Sequence, residues 1–415
     1  MRSWLVAVCV WFSGAALMGA EPATWTQWRG PNRDGTISAP AWPGKLDEAT
    51  LKTKWQVELQ PSYSGPIVTQ DKVFTTETRD RTDEYVSAYD RTTGEKLWEV
   101  GWPGAMSVPF FAKESGSWIR ATPAYDGESL YVAGIRDVLV CLDAKTGSVT
   151  WKVDFVETLK SDLPAFGMVC SPLVIGEHVY VQAGSSFVKL NKKTGEIVWK
   201  SLKDDGGMMG SAFSSPMPAT IRGVPQLLVQ TRTRLAGVDP DSGAELWGQE
   251  IEAFRGMNIL TPVVYNDQVF TSAYGGQSHM FSLTQDATKW AAQEAWQTKQ
   301  QGYMSTPVVI DGHAYMHLKN QRFMCLDLKT GEEKWTTKPY GKYWSLVANG
   351  KQILALDETG MLRLIEANPK EFTLLDEREV STESSWAHLA VCDADICIRS
   401  LRKLTLLRWG DEAVK

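Results

Sequence analysis

Two groups of side chains in this sequence have the residue types that catalysis or metal binding uses. His313 and His317 are four residues apart. On a helix that spacing lets two histidines share a metal ion, but on a strand it places them about 13 Å apart. Lys-Thr-Gly, a tripeptide that some serine hydrolases use, begins at Lys145, Lys193 and Lys329. All three copies occupy one position of a repeated turn, so we interpret them as turn residues and expect no metal site.

The cysteines are the next candidates for chemistry. Outside the first twenty residues they are Cys141, Cys170, Cys325, Cys392 and Cys397. Cys141 and Cys325 hold the same repeat position as Ala88 and Gly237, which indicates small core residues. Cys392 and Cys397 flank a turn and align with a pair of residues expected to face each other across a hairpin. Exported proteins form disulfides, so the sequence predicts either a Cys392–Cys397 disulfide or two unpaired core thiols.

One short pattern recurs through the chain: Asp or Asn, three residues, Gly, three residues, Trp. Its copies are Asp90–Gly94–Trp98, Asp143–Gly147–Trp151, Asn191–Gly195–Trp199, Asp239–Gly243–Trp247 and Asp327–Gly331–Trp335. The Asp or Asn side chain can accept backbone N–H bonds in the turn, Gly suits a positive φ, and Trp offers an apolar face to bury. A hairpin precedes each copy, so each repeat is predicted to be four short antiparallel strands. The five tryptophans are interpreted as structural residues of the repeat.

The tryptophan spacing indicates eight units. The steps from Trp98 to Trp335 are 53, 48, 48 and 88 residues, and Trp296 fills the last, double step. A seventh unit follows Tyr343, and an eighth stops at Trp409 without an outer strand. The strand at Trp55 is predicted to supply it and to close the ring. The sequence thus predicts an all-β fold, an eight-bladed β-propeller of four-stranded antiparallel blades, with seven blades as the alternative.

The rest of the chain divides into a leader and an arm. Residues 1–20, with Arg2 followed by an apolar run from Leu5 to Leu17, are predicted to be a secretory signal peptide. Residues 21–54 are predicted to be an arm, either a structural strap or a cover over the ring's opening, and residues 55–410 the propeller. We therefore expect a periplasmic or extracellular protein without a transmembrane segment. The net charge of −6 disfavours nucleic acid as a partner.

Residues just before the first strand of each blade should line the central funnel of the ring. Counting three or four residues back from a recurring proline selects Tyr63, Arg120, Met168, Phe213, Asn258, Tyr303, Tyr343 and Trp386. Five of these eight side chains are aromatic. Either they pack the narrow end of the ring, or they form an aromatic funnel that binds a ligand or peptide. In the second case Arg120 would orient a carboxylate or a backbone carbonyl.

The repeat resembles a known family. The segment 142–147 followed by Trp151 is similar to the tryptophan-docking repeat of the pyrroloquinoline-quinone-like β-propellers, and the resemblance covers residues 55–410. One branch of that family, the quinoprotein alcohol dehydrogenases, holds the quinone and Ca²⁺ in the funnel. Another branch, similar to BamB, is non-enzymatic.

The sequence departs from the dehydrogenase branch. It has no adjacent cysteine pair, which those enzymes typically carry beside the quinone. It is also shorter than those enzymes, and no Ca²⁺ ligands match a motif, so no catalytic residue is assigned and no cofactor is expected. We predict a protein-binding scaffold of the bacterial cell envelope, a monomer with an envelope protein or peptide as partner. The alternatives are a quinone-dependent dehydrogenase and a propeller that binds a small molecule or polysaccharide.

Overall fold

The computed structural model describes residues 24–204, 210–287 and 289–410. They form eight antiparallel sheets in a ring, which confirms the predicted eight-bladed β-propeller. The predicted signal peptide, residues 1–20, lies outside the described residues. Three short helices interrupt the loops: the 3₁₀ helices Phe110–Ser115 and Phe254–Gly256 and the α-helix Phe155–Leu159.

The four strands of each blade, from the channel outward, follow chain order in blades 1 to 7. They are Ile67–Val68, Lys72–Arg79, Asp83–Asp90 and Lys96–Pro103 in blade 1; Ala124–Tyr125, Ser129–Gly134, Val138–Asp143 and Val149–Asp154 in blade 2; Leu173–Ile175, His178–Ala183, Ser186–Asn191 and Ile197–Ser201 in blade 3; Met217–Ile221, Val224–Gln230, Arg234–Val238 and Glu245–Glu250 in blade 4; Val263–Tyr265, Gln268–Ser272, Ser278–Asp286 and Lys289–Thr298 in blade 5; Val308–Ile310, His313–His317, Arg322–Asp327 and Glu333–Pro339 in blade 6; Ser345–Asn349, Gln352–Leu356, Met361–Glu366 and Thr373–Glu379 in blade 7; and Ala390–Cys392, Asp395–Arg399, Lys403–Trp409 and Leu51–Glu58 in blade 8.

The ring is closed by strands from both ends of the propeller. The outer strand of blade 8, Leu51–Glu58, runs antiparallel to Lys403–Trp409. It begins four residues before Trp55, the predicted start of the propeller. Because this pairing covers what would be an open sheet edge, it leaves the ring without an unpaired end at the seam.

The recurring turn has the chemistry that its residue types predict. The Asp143 carboxylate accepts hydrogen bonds from the backbone N–H groups of Lys145 and Thr146, at 3.0 and 2.7 Å. Gly147 has a φ of +78°, and a Cβ there would lie 2.6 Å from the ring of Trp98 in blade 1. Two independent constraints therefore favour glycine at this position: the positive φ angle and the tryptophan ring that leaves no space for a side chain.

Each repeat tryptophan but one ties its blade to the next. The indole Nε1–H donates to a turn carbonyl of the following blade in the pairs Trp55–Arg91, Trp98–Ala144, Trp151–Lys192, Trp199–Asp241, Trp296–Leu328 and Trp335–Asn368. Trp247 instead donates to Gln226 of its own blade. Blade 5, which follows it, lacks the recurring turn, so no equivalent carbonyl is presented.

The arm crosses the ring and contacts six blades, among them blade 6 through Arg29 and blade 8 through Trp25. Trp25 exchanges two backbone hydrogen bonds with Val68 of blade 1, and Thr26 accepts one from Tyr125 of blade 2. The Arg33 guanidinium donates to the carbonyl of Pro172 in blade 3. Further along, Thr36–Ile37 adds a short parallel strand to the inner strand of blade 7. These contacts support both interpretations of the arm, a strap and a cover, because it joins blades by crossing the channel.

Cys392 and Cys397 do not face each other across the hairpin, contrary to the alignment of the repeats. In blade 8 Cys392 lies opposite Asp395, and Cys397 lies opposite Ala390. The error is one of register: the alignment placed these cysteines across from each other, whereas the tight turn puts Cys397 two residues beyond the position that faces Cys392. The disulfide and its alternative, two unpaired core thiols, both stay predictions. Cys141 and Cys325 are buried core residues, as predicted.

Candidate functional site

The ring encloses a cavity of about 140 Å³. All eight blades contribute residues to its wall, which places the cavity on the axis of the ring. The outermost layer of that wall is made by the residue two positions before a recurring Gly, Ser or Thr in blades 1 to 7, and two positions before His388 in blade 8. These residues are Tyr63, Arg120, Val169, Phe213, Ile259, Met304, Tyr343 and Trp386. Each precedes an inner strand, so the eight strands present their side chains to one another around the channel.

Five of the eight predicted funnel residues line this cavity: Tyr63, Arg120, Phe213, Tyr343 and Trp386. In blades 3, 5 and 6 the lining residue is instead the next one along the chain. Met168, Asn258 and Tyr303 therefore lie outside this cavity wall. Side chains of an extended segment alternate between two sides, so an error of one residue turns the side chain away from the channel. Met168 packs in a hydrophobic cluster, and the Asn258 amide donates to the carbonyl of Arg232.

A second layer of the wall consists of hydroxyl groups that link neighbouring blades. The backbone N–H of Gly65 donates to the Thr122 hydroxyl, and the same bond repeats from Thr122 to Ser171 and from Ser171 to Ser215. It continues from Ser215 to Thr261 and from Thr261 to Thr306. Sequence reasoning missed this layer. Its signal is the Ser-Pro or Thr-Pro dipeptide that opens the inner strands of blades 2 to 6.

The arm and His388 form the inner end of the cavity. Trp28 and Arg29 of the arm line it together with His388 of blade 8. Burial, together with the Arg29 charge, lowers the pKa of His388 to about 3, so the imidazole is neutral at pH 7. Its ring stacks on Trp25, with centroids 6.0 Å apart. The Arg29 side chain is buried, which lowers its pKa to about 10 and leaves it charged.

Arg120 is the cation at the outer end of the cavity. Its Nη2 donates to the carbonyl of Gly116 at 2.5 Å, and its guanidinium lies 5.7 Å from the centre of the Tyr63 ring. Burial lowers its pKa to about 10, so it also stays charged at pH 7. The lining thus carries two guanidinium groups, and none of its residues is an Asp or Glu.

This lining does not fit a quinone held with Ca²⁺. Calcium takes carboxylate and amide oxygens as ligands, and the lining has no Asp, Glu, Asn or Gln. The volume of about 140 Å³ also lies below the range of about 300–1,000 Å³ that ligand pockets usually have. No group of three or more His, Cys, Asp or Glu that could hold a metal ion occurs within residues 24–204, 210–287 and 289–410.

Around the mouth of the cavity the aromatic side chains continue into two runs of neighbouring rings, which together we call the aromatic rim. It consists of Tyr63, Phe111, Phe166, Phe213, Phe254, Tyr274, Tyr303, Tyr343 and Trp386, with neighbouring rings 4.3 to 6.2 Å apart. The Arg255 guanidinium bridges the gap between Phe254 and Phe111, at 5.0 and 5.6 Å from their ring centres. Tyr303, although outside the cavity wall, belongs to this rim.

The rim is exposed on one side and opens into a groove. Phe110, which packs on Phe111, is 89% exposed, and Phe254 is 51% exposed. Beside Phe254 and Tyr274 lies a groove of about 920 Å³ between the loops of blades 4, 5 and 6. Lys319 at its edge lies 4.5 Å from the centre of the Tyr274 ring. This face therefore combines exposed aromatic rings with a polar cleft, as protein interfaces do.

The fold and this channel define an eight-bladed propeller of the pyrroloquinoline-quinone-like class. The family described as outer membrane protein assembly factor BamB matches residues 82–337, and the chain belongs to that family. A BamB from Shewanella oneidensis is 23% identical over 246 residues, which are 59% of this chain and 56% of that protein. The match thus spans little more than half of that relative's length.

Solved structures agree on the fold. BamB from Moraxella catarrhalis superimposes with a TM-score of 0.60 at 16% identity, covering 87% of this chain and 98% of that one. A europium-containing methanol dehydrogenase superimposes with a TM-score of 0.55 at 10% identity, covering 94% and 98%. At these identities the likeness extends to the fold alone.

Proposed function

We propose that this chain is a non-enzymatic, protein-binding scaffold of the bacterial cell envelope. The observation that carries the proposal is membership, across residues 82–337, of the family described as outer membrane protein assembly factor BamB. The name of that family refers to assembly of outer-membrane proteins, so the partner of this chain is an envelope protein or a segment of one.

An envelope location is part of the proposal. The apolar segment from Leu5 to Leu17 would direct export as a signal peptide. Among the described residues no helix is long and apolar enough to cross a membrane.

The aromatic rim is the surface through which the scaffold would bind. Large exposed aromatic side chains are costly to leave in water and are enriched at the centres of protein interfaces. Phe110 and Phe254 are the most exposed aromatic side chains of the described hydrophobic surface, and both lie at the rim. The adjoining groove would accept an extended segment of the partner, with Lys319 at its edge.

The dehydrogenase alternative has a specific argument against it. Quinone-dependent alcohol oxidation needs a cation to polarise the cofactor and a carboxylate to take the substrate proton. The cavity lining provides neither carboxylates nor amides. The structural likeness to a methanol dehydrogenase concerns the fold alone.

The binding proposal is tested by photo-crosslinking in the native envelope. A photoreactive amino acid replaces Phe110 or Phe254 at the rim. In a matched control it replaces Val198 on the outer strand of blade 3, which is as exposed as Phe254. We expect discrete protein adducts, identified by mass spectrometry, from the two rim positions only. Equal labelling from position 198, or no adduct from either rim position, contradicts the proposal.

The non-enzymatic part is tested separately. Purified protein is incubated with pyrroloquinoline quinone and Ca²⁺, and dye reduction is assayed with primary alcohols and aldose sugars. We expect no turnover above a protein-free control. Turnover that disappears in Arg120→Met or Trp386→Ala would replace the scaffold proposal with an enzyme.

A further inference from the structure

Two positive charges line the channel cavity and its wall holds no carboxylate, although Asp34, outside the wall, attracts Arg29. Arg29 lines its inner end and Arg120 its outer end. Neither forms an ion pair within 4.0 Å among the described residues, whereas Arg79, Arg91 and Arg363 do. Buried Arg33 and Arg399 also lack an ion pair within this distance in the described part of the chain, but neither lines the cavity. Buried charges are normally paired, because removing a charge from water is costly. The pair of arginines therefore points to an anion as the missing partner.

Both guanidinium groups also have unused hydrogen-bond donors. Arg29 Nη2 donates to the carbonyls of Asp34 and Pro307, at 2.8 and 2.5 Å, whereas its buried Nε and Nη1 have no partner. Arg120 uses Nη2 on the carbonyls of Gly116 and Ser115, whereas its buried Nε has none. An unsatisfied buried donor costs about 1–3 kcal/mol, and more for a charged group. Since Arg29 is only 1% exposed, water at the surface does not supply the partner.

The rest of the wall is suited to the other parts of such a ligand. The Thr122 and Thr306 hydroxyls accept backbone N–H bonds from the preceding blades and retain a proton that can be donated. The faces of Tyr63, Tyr343 and Trp386 form an apolar side of the cavity, with Tyr63 and Trp386 stacked at 4.7 Å. The volume of about 140 Å³ is close to that of a cavity of about 150 Å³ that holds benzene.

We propose that the channel cavity binds a small carboxylate with a flat apolar body. The Arg120 guanidinium pairs with its carboxylate, the charge of Arg29 adds to the attraction, and the aromatic faces contact its body. This binding site is separate from the exposed outer part of the rim, so it stands whether or not the rim binds a protein.

The test uses benzoate as the probe with the full chain purified in buffer free of carboxylates. Binding is measured by calorimetry and by the rise in melting temperature, with benzamide as the neutral comparator and sulfate as an inorganic anion. We expect benzoate to bind at least about tenfold more tightly than benzamide, as the loss of one charged hydrogen bond implies. Equal binding of benzamide, or a preference for sulfate that excludes benzoate, overturns the proposal.

Two variants locate the site. Arg120→Met is expected to weaken benzoate at least about tenfold. Arg255→Met is the matched control, because Arg255 lies on the rim outside the cavity wall; it is expected to bind benzoate as the unmodified protein does. Equal binding by Arg120→Met contradicts the assignment.

A spectroscopic measurement on the unmodified protein makes the test independent of variant folding. Benzoate is expected to shift the ring resonances of His388, which lines the cavity, and to leave those of His178 on blade 3 in place. An unchanged His388 at saturating benzoate, or no benzoate binding at millimolar concentration, overturns the proposal.

Discussion

At the scale of single residues, each repeated position of the recurring turn has one structural role. The aspartate organises its own turn, the glycine leaves room, and the tryptophan of the preceding blade fills that room. Gly94, Gly147 and Gly195 each have a φ between +73° and +78° and lie under such a ring. Because the glycine and its tryptophan belong to different blades, a change at either one acts on the contact between blades.

Comparing two glycines separates the steric requirement from the backbone requirement. Gly147 and Gly223 have nearly the same φ, +78° and +80°, but a Cβ at position 223 meets nothing within 4 Å. We expect Gly223→Ala to cost about 1–2 kcal/mol of unfolding free energy through backbone strain alone. Gly147→Ala should cost about 1–3 kcal/mol more, because the new methyl group meets the Trp98 ring. Denaturant unfolding measures both, and equal losses would mean that the ring moves aside freely.

A second prediction at this scale concerns Asp137, a buried acid of blade 2. Burial raises its pKa to about 7, although its Oδ2 accepts a hydrogen bond from the N–H of Gly184. Between pH 4 and 7 the unfolded chain has lost this proton and the folded protein keeps it. Its contribution to stability is therefore complete below pH 4 and falls as the pH rises to about 7.

Asp137→Asn should remove that fall. We expect the variant to gain stability relative to the unmodified protein between pH 4 and 8, by up to about 4 kcal/mol. Asp143→Asn is the control, because the turn hydrogen bonds lower the pKa of Asp143 and it stays ionised over this range. Urea unfolding at several pH values is the measurement, and a difference independent of pH would contradict the prediction.

The candidate site shows how far residue-level reasoning reached. The sequence predicted that the segment before each inner strand faces the channel, and Tyr63, Arg120 and Trp386 do so. It did not fix which of two adjacent residues faces inward in blades 3, 5 and 6. The choice depends on the conformation of a loop that no repeated residue anchors, whereas the Ser-Pro and Thr-Pro dipeptides would have provided the register.

At the scale of elements, the arm is the segment whose position the sequence left open. Arg33 is fully buried and donates to the carbonyls of Pro172 and Ser171 in blade 3 and to the Gln27 side chain. No periodicity marks these contacts, because the arm is irregular and is held by side chains that reach blades distant in sequence.

Removing the Arg33 contacts should release the arm from blade 3. Arg33→Met removes three hydrogen bonds. We therefore expect hydrogen exchange to accelerate at the backbone amides of residues 24–38 and at those of the Ser and Thr residues that link neighbouring blades around the cavity. Exchange in the outer strand of blade 5, Lys289–Thr298, should change little. Arg136→Met, at an exposed position of blade 2, is the control. Uniform acceleration across all blades would indicate global destabilisation instead of release of the arm.

At the scale of the whole molecule, the repeat was sufficient to predict the architecture. Its spacing gave the number of blades, and the missing outer strand of the last repeat predicted closure by the strand at Trp55. The weak repeats at blades 7 and 8 left seven blades as an alternative, because their turns lack the Asp-Gly-Trp pattern. The structure shows that packing and strand pairing form these blades without it.

Closure of the ring leads to a prediction about the whole molecule. Deleting residues 51–60 removes the outer strand of blade 8 and exposes the edge of Lys403–Trp409. We expect aggregation and a large fall in melting temperature, because the ring then has an unpaired edge. Lys52→Ala with Lys54→Ala, at exposed positions of the same strand, should leave both properties close to normal. A deletion variant that remains soluble with an unchanged melting temperature would contradict the closure.

The seam of blade 8 also affects how the protein is made. Gln56 and Thr405, which form a hydrogen bond across it, are 349 residues apart in the chain. The strand around Gln56 leaves the ribosome early and must wait for nearly the whole propeller before it finds its partner. During that interval its backbone edge is unpaired and can pair with other chains. Contacts between residues so far apart in sequence also form slowly. Biogenesis of this propeller therefore depends on keeping an early strand from pairing with the wrong chain.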